Sequence, residues 1–506
     1  DSEQGIVLGY DTKSFYIGLA TEGADDGDGM LTYLRGTTSY EMGRMYHVTA
    51  TYDGKVLCLY INGKLESSTL AQSGDILYPD SAPVVLGAYK DDNEDILHHG
   101  RIRELSVYAQ AASAEWVMDD FGHNSDLALA SPHIPLDPNF TFKVKPFLQY
   151  GTQHSMVITW ETSRPSTTTV YWGDHVVGED DDLSLPHKIK GANDAIIHAM
   201  SLEGLSPGVG YFYQVESVDT EGQILTSPIL TFQSAVEEDI PFAFAVISDT
   251  QDNPSVSGQI ANMAWEMRPH FVLHPGDLVG TGTNVGDWRD EFFPSMDLLL
   301  SRVPIYPVLG NHEQDARHYY DYMQLPDPEY YYDFKYGNAH FFMLDTNRKV
   351  HPGSEQFVWL EKELKRSKAK WKIVCHHHPA FSSDENDYGD MWKGPSSHGD
   401  LRVRELTTLY DKYNVDLVWN GHIHSYERTW PLNKGRVVEE KGTTYMITGG
   451  GGGGLETPGP VRPWFQNNVR RGHHWCYVAV NGGTLEIKAF DLEGRMFDVA
   501  KLKKQR

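Results

Sequence analysis

Several short apolar segments of this chain end in side chains that can bind a metal ion. The four upstream runs are short and apolar, and those that start at 271, 305 and 373 are closed by Gly or Pro, which predicts buried central strands with a polar side chain at the carboxyl end. In open α/β sheets ligands bind at that edge, so these side chains are expected to meet there. The segments are 244–249, ending in Asp249; 271–277, ending in Asp277; 305–313, with Asn311 and His312; 373–379, with His377; and 421–428, with His422 and His424.

These residue types favour the hydrolysis of phosphoesters. That reaction needs a nucleophile stronger than water and positive charge around the phosphoryl oxygens. Two metal ions about 3.5 to 4 Å apart supply both, because they lower the pKa of a bound water and hold the attacking and leaving oxygens. Carboxylates and imidazoles suit first-row divalent ions, and a carboxylate can bridge two of them. Asp277 is the natural bridge.

The spacing of apolar residues along the chain predicts the strands and helices that must position these side chains. From Pro241 onward, apolar strands alternate with segments of helical period, which indicates an α/β domain, taken here as 237–506. In one such segment Phe357, Leu360 and Leu364 share a face. The predicted helices are 255–268, 289–301, 353–367 and 400–413.

An all-β segment at 140–236 precedes this domain. Met156, Ile158 and Trp160 alternate with polar neighbours, as in strands with one buried face. The run 202–213 resembles the tyrosine corner of a fibronectin type III sandwich. This resemblance implies a fibronectin type III-like β-sandwich.

A further β-module is predicted at 1–123, followed by a linker rich in small residues and Pro at 124–139. Asp53-Gly54 and Asn62-Gly63 separate alternating runs, which indicates consecutive hairpins. The stretch resembles the laminin-G or concanavalin-like jelly roll, with part of its N-terminus missing. By fold analogy the module would bind a glycan, and a purely structural role remains open.

Bulk properties narrow the class of protein. The 506 residues allow about three domains, and a net charge of −27 argues against a nucleic-acid-binding surface. No apolar run approaches the ~18 residues of a membrane span, and no leader opens the chain. The cysteines are too few for a disulfide framework, so Cys375 and Cys476 are expected to be buried free thiols. Acidity and β-modules favour a secreted or periplasmic protein whose leader is absent from this chain.

The order of a β-sandwich and then these motifs, with Tyr426-Glu427-Arg428 after the paired histidines, resembles the purple acid phosphatase group of calcineurin-like metallophosphoesterases. That resemblance implies a four-layer α/β/β/α domain and two metal ions. By motif match, His312 would be the acid beside the ligands, and His376 and His378 would be structural. One ion would be held by Asp249, Asp277 and His424, and the other by Asp277, Asn311, His377 and His422.

Two positions depart from the family pattern. Purple acid phosphatases have a tyrosine three residues after the bridging Asp, where this chain has Gly280, so the protein should not be purple. Many other metallophosphoesterases carry His two residues after the first Asp, and here Gln251 offers a weaker, neutral amide ligand. Iron, zinc and manganese all remain open.

The loop between the strands of His377 and His422 holds candidate substrate residues, namely His398, Tyr388 and Trp392. The glycine run 449–454 lacks the ending of a nucleotide-binding loop, so close backbone approach or flexibility is expected. Three functions stay open: an extracellular phosphomonoesterase, a phosphodiesterase using the same site, and an adhesion or glycan-binding protein whose catalytic domain has decayed.

Overall fold

The computed structural model has two compact units, Asp1–Leu136 and Asp137–Arg506, and each is described by itself. The residues that it describes are 5–10, 14–23, 31–40, 44–78, 85–86, 88–90, 95–97, 102–129, 139–174, 185–384 and 396–504.

The first unit is a small β-module. Its sheets have the orders β1-β2-β3, β4-β5-β6 and β7-β8, all antiparallel. The predicted hairpin at Asn62-Gly63 forms, with φ of 49° and 75°. Helix α1 continues into the predicted linker. The elements are β1 Ile6–Tyr10, β2 Ser14–Leu19, β3 Thr32–Ser39, β4 Val48–Tyr52, β5 Leu57–Ile61, β6 Lys64–Thr69, β7 Ala88–Lys90, β8 Asp95–Leu97 and α1 Ala114–Leu129.

The second unit begins with the predicted β-sandwich. Buried Ile158, Trp160 and Tyr213 fill its core. The hydroxyl of Tyr211 accepts a hydrogen bond from the Ser206 N–H at 2.8 Å, which is the tyrosine corner expected from the sequence. The strands are β9 Phe142–Gln149, β10 Ser155–Ser166, β11 Thr169–Gly173, β12 His187–Lys190, β13 Ala195–Glu203, β14 Gly210–Val218, β15 Ile224–Thr226 and β16 Leu230–Gln233.

The remainder of the second unit alternates strands with helices. Its strands are β17 Phe242–Val246, β18 Phe271–His274, β19 Ile305–Pro307, β20 Tyr332–Tyr336, β21 Ala339–Met343, β22 Trp371–Cys375, β23 Leu417–Asn420, β24 Tyr426–Thr429, β25 Leu432–Asn433, β26 Arg436–Val437, β27 Thr444–Thr448, β28 Gln466–Arg470, β29 His474–Asn481, β30 Thr484–Asp491 and β31 Met496–Lys503. Its helices are α2 Pro254–Glu266, α3 Phe293–Leu300, α4 Arg317–Tyr322, α5 Glu355–Arg366, α6 Leu401–Arg404 and α7 Thr407–Tyr413.

Most helices lie where the hydrophobic period predicts them. The segment predicted at 289–301 begins as a π-helical stretch, Asp287–Phe292, that continues into α3. The segment predicted at 400–413 is broken into α6 and α7, and α4 was not predicted. Within the described ranges, no helix is both long and apolar enough to cross a membrane.

Two large sheets pack face to face. One has the order β13-β10-β9-β19-β18-β17-β29-β30-β31 and the other β20-β21-β22-β23-β27-β24-β28. Phe271 and Phe341, on opposite sheets, have ring centroids 5.4 Å apart. Buried residues of α2 and α3 pack on the first sheet, and those of α5 and α7 on the second. These are the four layers predicted from the sequence.

The sandwich and the α/β part share a sheet. Strand β9 pairs with β19 in parallel at Ile305↔Gln149. Beside this junction, buried Glu161 of β10 accepts hydrogen bonds from Arg289 and, at 2.8 Å, from the Tyr322 hydroxyl. The sandwich predicted at 140–236 is therefore continuous with the part of the chain that carries the metal-binding motifs.

Candidate metal centre

The predicted metal ligands lie together at one edge of the two sheets. Asp249 follows β17, Asp277 follows β18 and Asn311 follows β19. From the second sheet, His377 follows β22, and His422 and His424 follow β23. Positive φ values at Asp249 (57°), Asp277 (54°) and His422 (70°) bend the chain directly after its strand. Non-glycine residues rarely adopt this conformation, and such residues cluster at functional sites.

Asp277 is common to two groups of ligand atoms. In one group the ligand atoms of Asp277, His377 and His422 lie within 4.8 Å of one another, and in the other those of Asp249, Asp277 and His424 do. The Asp277 carboxylate is 1% exposed. Its Oδ1 accepts the His312 N–H at 2.9 Å, and its Oδ2 lies 3.1 Å from His377 Nε2. This geometry suits a carboxylate that bridges two ions.

The imidazoles are oriented by backbone carbonyls. Nδ1 of His377 donates to the Pro275 carbonyl at 2.9 Å, and Nδ1 of His424 donates to the Gly454 carbonyl at 2.7 Å. The other nitrogen, Nε2, therefore faces Asp277 in His377 and lies 3.5 Å from Asp249 Oδ1 in His424. In His377 a neutral ring would direct a lone pair at the carboxylate, so a proton or a metal ion must lie between them. His424 Nε2 also lies 3.2 Å from the Gln251 amide nitrogen.

The pKa values of the three histidines show where the nearby carboxylates favour positive charge. Burial alone would lower the pKa of both rings, but Asp277 raises that of His377 to about 9 and Asp249 raises that of His424 to about 10. Burial, together with the neighbouring His377, lowers the pKa of His422 to about 4. His422 is thus neutral at pH 7, whereas His377 and His424 hold protons that a metal ion would displace.

The donor atoms fit metal ions. Asp249 Oδ2 and Gln251 Oε1 are buried and have no hydrogen-bond partner among the described residues. Asn311 Oδ1 lies 3.0 Å from both His377 Nε2 and His422 Nδ1. Carboxylate, amide and imidazole groups together match first-row divalent ions. One ion would thus be bound by Asp249, Gln251 and His424. The other ion would be bound by Asn311, His377 and His422, and Asp277 would bind both ions.

Comparison with protein families agrees with this geometry. Residues 242–426 match the model of the calcineurin-like phosphoesterases. This match identifies that part of the chain as a calcineurin-like phosphoesterase domain. Residues 1–118 match the concanavalin A-like lectin/glucanases superfamily, which confirms the predicted N-terminal module. The phosphoesterase domain is of the kind found in metal-dependent phosphoric ester hydrolases, as predicted from its motifs.

Known proteins similar to this chain include purple and acid phosphatases. It is 27% identical over 398 residues to mouse "Acid phosphatase type 7", a match that covers 69% of this chain and 87% of that protein. It is 24% identical over 352 residues to "Probable inactive purple acid phosphatase 27" of Arabidopsis thaliana, covering 60% of this chain and 56% of that protein. The resemblance to the purple acid phosphatase group is confirmed.

Solved structures share the fold. The purple acid phosphatase PPD1 from yellow lupin seeds superposes with a TM-score of 0.61 at 20% identity, covering 71% of this chain and 74% of that chain. The structure titled PhoD gives 0.55 at 14% identity, covering 73% of this chain and 94% of that chain.

A side chain at Gly280 would have to displace the Asp252 carboxylate. A Cβ there would lie 2.3 Å from Asp252 Oδ1 and 3.3 Å from Asp287 Oδ2. The Gly280 carbonyl accepts the Nδ1–H of His312 at 2.6 Å, so this backbone instead orients the predicted acid. This loop therefore supplies a backbone carbonyl to His312 and offers no tyrosinate to a metal ion.

Glu313 was missed as a site residue, although it follows Asn311 and His312 directly. Its side chain is fully buried and accepts the N–H groups of Asp277 (2.9 Å), Gly310 (2.6 Å) and Leu278 (2.7 Å). It thereby ties the loop of Asp277 to the loop of Asn311. The available signal was a carboxylate directly after Asn311 and His312, at the end of an apolar run, because a charge that is buried there needs several partners.

Replacing this carboxylate tests its role. We expect Glu313→Gln to lower the free energy of unfolding by about 2 to 3 kcal/mol, because the amide turns a donor toward backbone donors. Affinity for Mn²⁺ should fall as well, since two ligand loops lose their anchor. Urea unfolding and equilibrium dialysis measure both, with exposed Glu355→Gln, whose carboxylate accepts two tyrosine hydroxyls, as the control. Unchanged values for both would contradict this role.

The glycine run packs against the site. A Cβ on Gly451 would lie 2.2 Å from the Ser248 carbonyl oxygen, and one on Gly453 would lie 2.4 Å from Cε1 of the His424 ring. A Cβ on Gly454 would meet nothing within 4 Å. Close backbone approach, one of the two expectations for this run, is therefore what the structure shows.

Neighbouring glycines give a matched pair of variants. Gly453→Ala should displace the His424 ring and weaken metal binding about 10- to 100-fold, the effect typical of losing a ligand's support. Gly454→Ala should bind metal as the parent does, because its Cβ has open space. Equilibrium dialysis with Mn²⁺ measures both. Equal affinities in the two variants would show that the contact with His424 is unimportant.

Metal loading should release protons. At pH 7, His377 and His424 hold protons that must leave before Nε2 can bind an ion, so about two protons should be released and affinity should rise with pH. Calorimetric titration in buffers of different ionisation enthalpy counts them. His377→Asn should release about one fewer. Proton-independent binding would mean that neither ring takes part.

The remaining predicted residues have mixed outcomes. Tyr388 and Trp392 lie outside the described residues. His398 lies with its ring 6.1 Å from that of Phe465, and among described residues it has no hydrogen bond to a candidate ligand. His376 is held by the His378 carbonyl and His378 by the Thr346 hydroxyl, in keeping with structural roles. Cys375 and Cys476 are buried free thiols as expected.

Proposed function

We propose that this protein is a secreted phosphomonoesterase that works with two metal ions. The observation that carries the proposal is the Asp277 carboxylate, which belongs to two groups of ligand atoms, each within 4.8 Å. The acid phosphatases among its relatives support the monoester form. One relative carries the word inactive in its name, but the complete set of ligand side chains here argues against a decayed site.

The side chains of the centre have distinct tasks. When bound, the two ions would supply an activated water and positive charge next to the phosphoryl oxygens. Asp277 holds the two ion positions in register, and the carbonyls behind His377 and His424 keep Nε2 of each ring pointed at them. His312 donates Nδ1–H to Gly280, which leaves Nε2 to donate, when the ring is protonated, to the phosphoryl group or the leaving oxygen.

The proposal also covers the partner of the N-terminal module, the location of the protein and the identity of the metal ions. The match of residues 1–118 to a lectin superfamily supports a glycan partner for the N-terminal module and, with the acidic composition, a secreted or periplasmic location. For the ions we propose divalent iron, zinc or manganese, because Gly280 removes the tyrosinate ligand and Gln251 is neutral.

Initial rates on p-nitrophenyl phosphate and bis-p-nitrophenyl phosphate, after loading with manganese, zinc or iron, test the proposal. We expect faster hydrolysis of the monoester, about two metal equivalents per chain, and no visible tyrosinate–iron band in the iron form. A preference for the diester would make the protein a phosphodiesterase. Fewer than two equivalents with no turnover would favour a decayed, adhesive protein.

A further inference from the structure

A run of basic residues lies at the end of the strands opposite the candidate metal centre. In residues 362–372, six of the eleven positions are Lys or Arg and one, Glu363, is acidic, whereas the whole chain has 43 Lys and Arg in 506 residues. The run begins on α5 and enters β22, so Lys370 precedes that strand while His377 follows it. A strand of this length separates the two residues by about 20 Å. The run is therefore remote from the metal ligands.

Two neighbouring strands bring further lysines to the same end. Nζ of Lys504 donates to the carbonyl of Lys370, so the end of β31, with exposed Lys503, adjoins the run. On the other side, the His340 ring of β21 lies 3.0 Å from the hydroxyl of the serine that follows α5. His340 is paired across the sheet with exposed Lys335 of β20. Basic residues from distant parts of the sequence thus meet on one surface.

Acidic groups next to this run are paired with other basic residues. Glu363 lies within ion-pair distance of Lys362 and Arg366, and Asp416 lies 2.7 Å from Nζ of Lys504. Within the described ranges, five lysines at this end have no carboxylate at ion-pair distance. These five form what we call the lysine patch, namely Lys335, Lys365, Lys368, Lys370 and Lys503.

The stability of helix α5 explains only part of the lysine patch. Lys365 lies in the last turn of α5, where a cation interacts favourably with the helix dipole. Lys335, Lys368 and Lys503 lie outside that helix, and like charges that are held close together repel one another. A chain with 70 acidic residues could have supplied each lysine with a carboxylate. The lysine patch therefore suits an anionic partner from outside the chain.

We propose that the lysine patch binds an acidic polysaccharide, a chain that carries sulfate or carboxylate groups. Lys- and Arg-rich segments of this length are typical of surfaces that bind polyanions such as heparin. At physiological ionic strength a charge acts over about 8 Å, so a bound chain responds to the lysine patch and not to the distant acids that give the net charge of −27. This binding site goes beyond the proposed function and does not depend on hydrolysis at the metal ions.

The surroundings of the lysine patch favour a polysaccharide over a lipid surface or a single-stranded nucleic acid. In the described segments 361–372 and 501–504, no large apolar side chain is exposed, and Trp371 is only 1% exposed. Amphipathic segments that bind membranes bury apolar side chains in the lipid, and single strands of nucleic acid stack on aromatic ones. An ammonium group needs neither, because its three donors bind sulfate or carboxylate oxygens directly.

Calorimetric titration with two polysaccharides tests the proposal. Heparin carries sulfate and carboxylate groups, and polygalacturonate carries carboxylates alone. We expect the metal-loaded protein to bind at least heparin, with an affinity that falls as salt is raised. Comparable binding of polygalacturonate would assign carboxylates as sufficient, and binding of heparin alone would assign sulfate. Failure to bind either polymer, or tighter binding to phosphatidylserine vesicles or to single-stranded DNA, overturns the proposal.

Variants assign the binding to the lysine patch. A fourfold variant should bind heparin about 10- to 100-fold more weakly, the summed effect of four exposed charges. It combines Lys365→Gln, Lys368→Gln, Lys370→Gln and Lys503→Gln. The matched control makes the same change in net charge at exposed lysines elsewhere and should bind as the parent does. It combines Lys55→Gln, Lys64→Gln, Lys190→Gln and Lys434→Gln. Equal affinities in the two variants overturn the proposal.

A second set of measurements separates this inference from the proposed function. Metal content, urea unfolding and the rate on p-nitrophenyl phosphate should be the same in the fourfold variant and the parent, since about 20 Å separates the lysine patch from the ligands. The single change Lys368→Glu should weaken heparin binding about threefold and gives an independent test at one exposed position. If p-nitrophenyl phosphate is not hydrolysed with any metal, the proposed function fails, while the heparin affinities still decide for or against the lysine patch.

Discussion

Asp277→Asn is expected to lower kcat by more than about 10³-fold and to leave fewer than two metal ions per chain. The asparagine keeps the shape of the side chain, and its carbonyl oxygen can still accept the His312 N–H. It lacks the negative charge and the second oxygen with which Asp277 belongs to both groups of ligand atoms. Both ion positions should therefore weaken together.

Metal content by mass spectrometry and the rate on p-nitrophenyl phosphate measure this effect. Asp416→Asn is the matched control, because Asp416 is a largely buried carboxylate that accepts the Lys372 N–H at the opposite ends of the strands. That variant should lose some stability and keep both metal ions and turnover. Full activity in Asp277→Asn would show that the centre has been assigned to the wrong residues.

His312→Ala is expected to keep both metal ions and to lower kcat by about 10²- to 10³-fold. The Asp277 carboxylate is held by the backbone N–H of residue 312, which the alanine retains, so the ligands should stay in place. The lost ring is the one that Gly280 orients through Nδ1. The ligand shell should therefore survive while proton donation or charge stabilisation is lost.

The dependence on leaving group distinguishes the two roles of His312. If the ring protonates the leaving oxygen, the loss should be much larger on glycerol 3-phosphate than on p-nitrophenyl phosphate, whose leaving group needs little protonation. If it stabilises charge on the phosphoryl group, the losses should be similar. His351→Ala, at an exposed position, is the control. Unchanged rates on both substrates would remove His312 from the reaction.

Position along a strand was enough to predict which candidate ligands the fold brings together. Asp249, Asp277 and Asn311 each follow a short apolar run, and parallel strands carry such residues to the same edge. The tyrosine corner at Tyr211 was likewise local, because its partner Ser206 is only five residues away. Local pattern and strand direction therefore sufficed to bring these side chains to one sheet edge, whereas their division between two metal ions came from the family resemblance.

Features that depend on contacts between distant segments were not predictable. The role of Glu313 depends on where three backbone N–H groups converge in space. The pairing of β9 with β19 joins Gln149 to Ile305, and neither residue carries a pattern that reveals the other. Each feature requires the folded chain.

The shared sheet also limits how the protein can be shortened. A chain that starts at Pro241 would lack β9, and the backbone groups of β19 that face β9 would become an open sheet edge. Unpaired edges recruit strands from other molecules and promote aggregation. Removal of the sandwich would also leave Arg289 without its buried partner Glu161. The fibronectin-like region therefore covers a sheet edge that would otherwise promote aggregation of the phosphoesterase region. The two regions would have to be expressed together, and exchanged together between homologues.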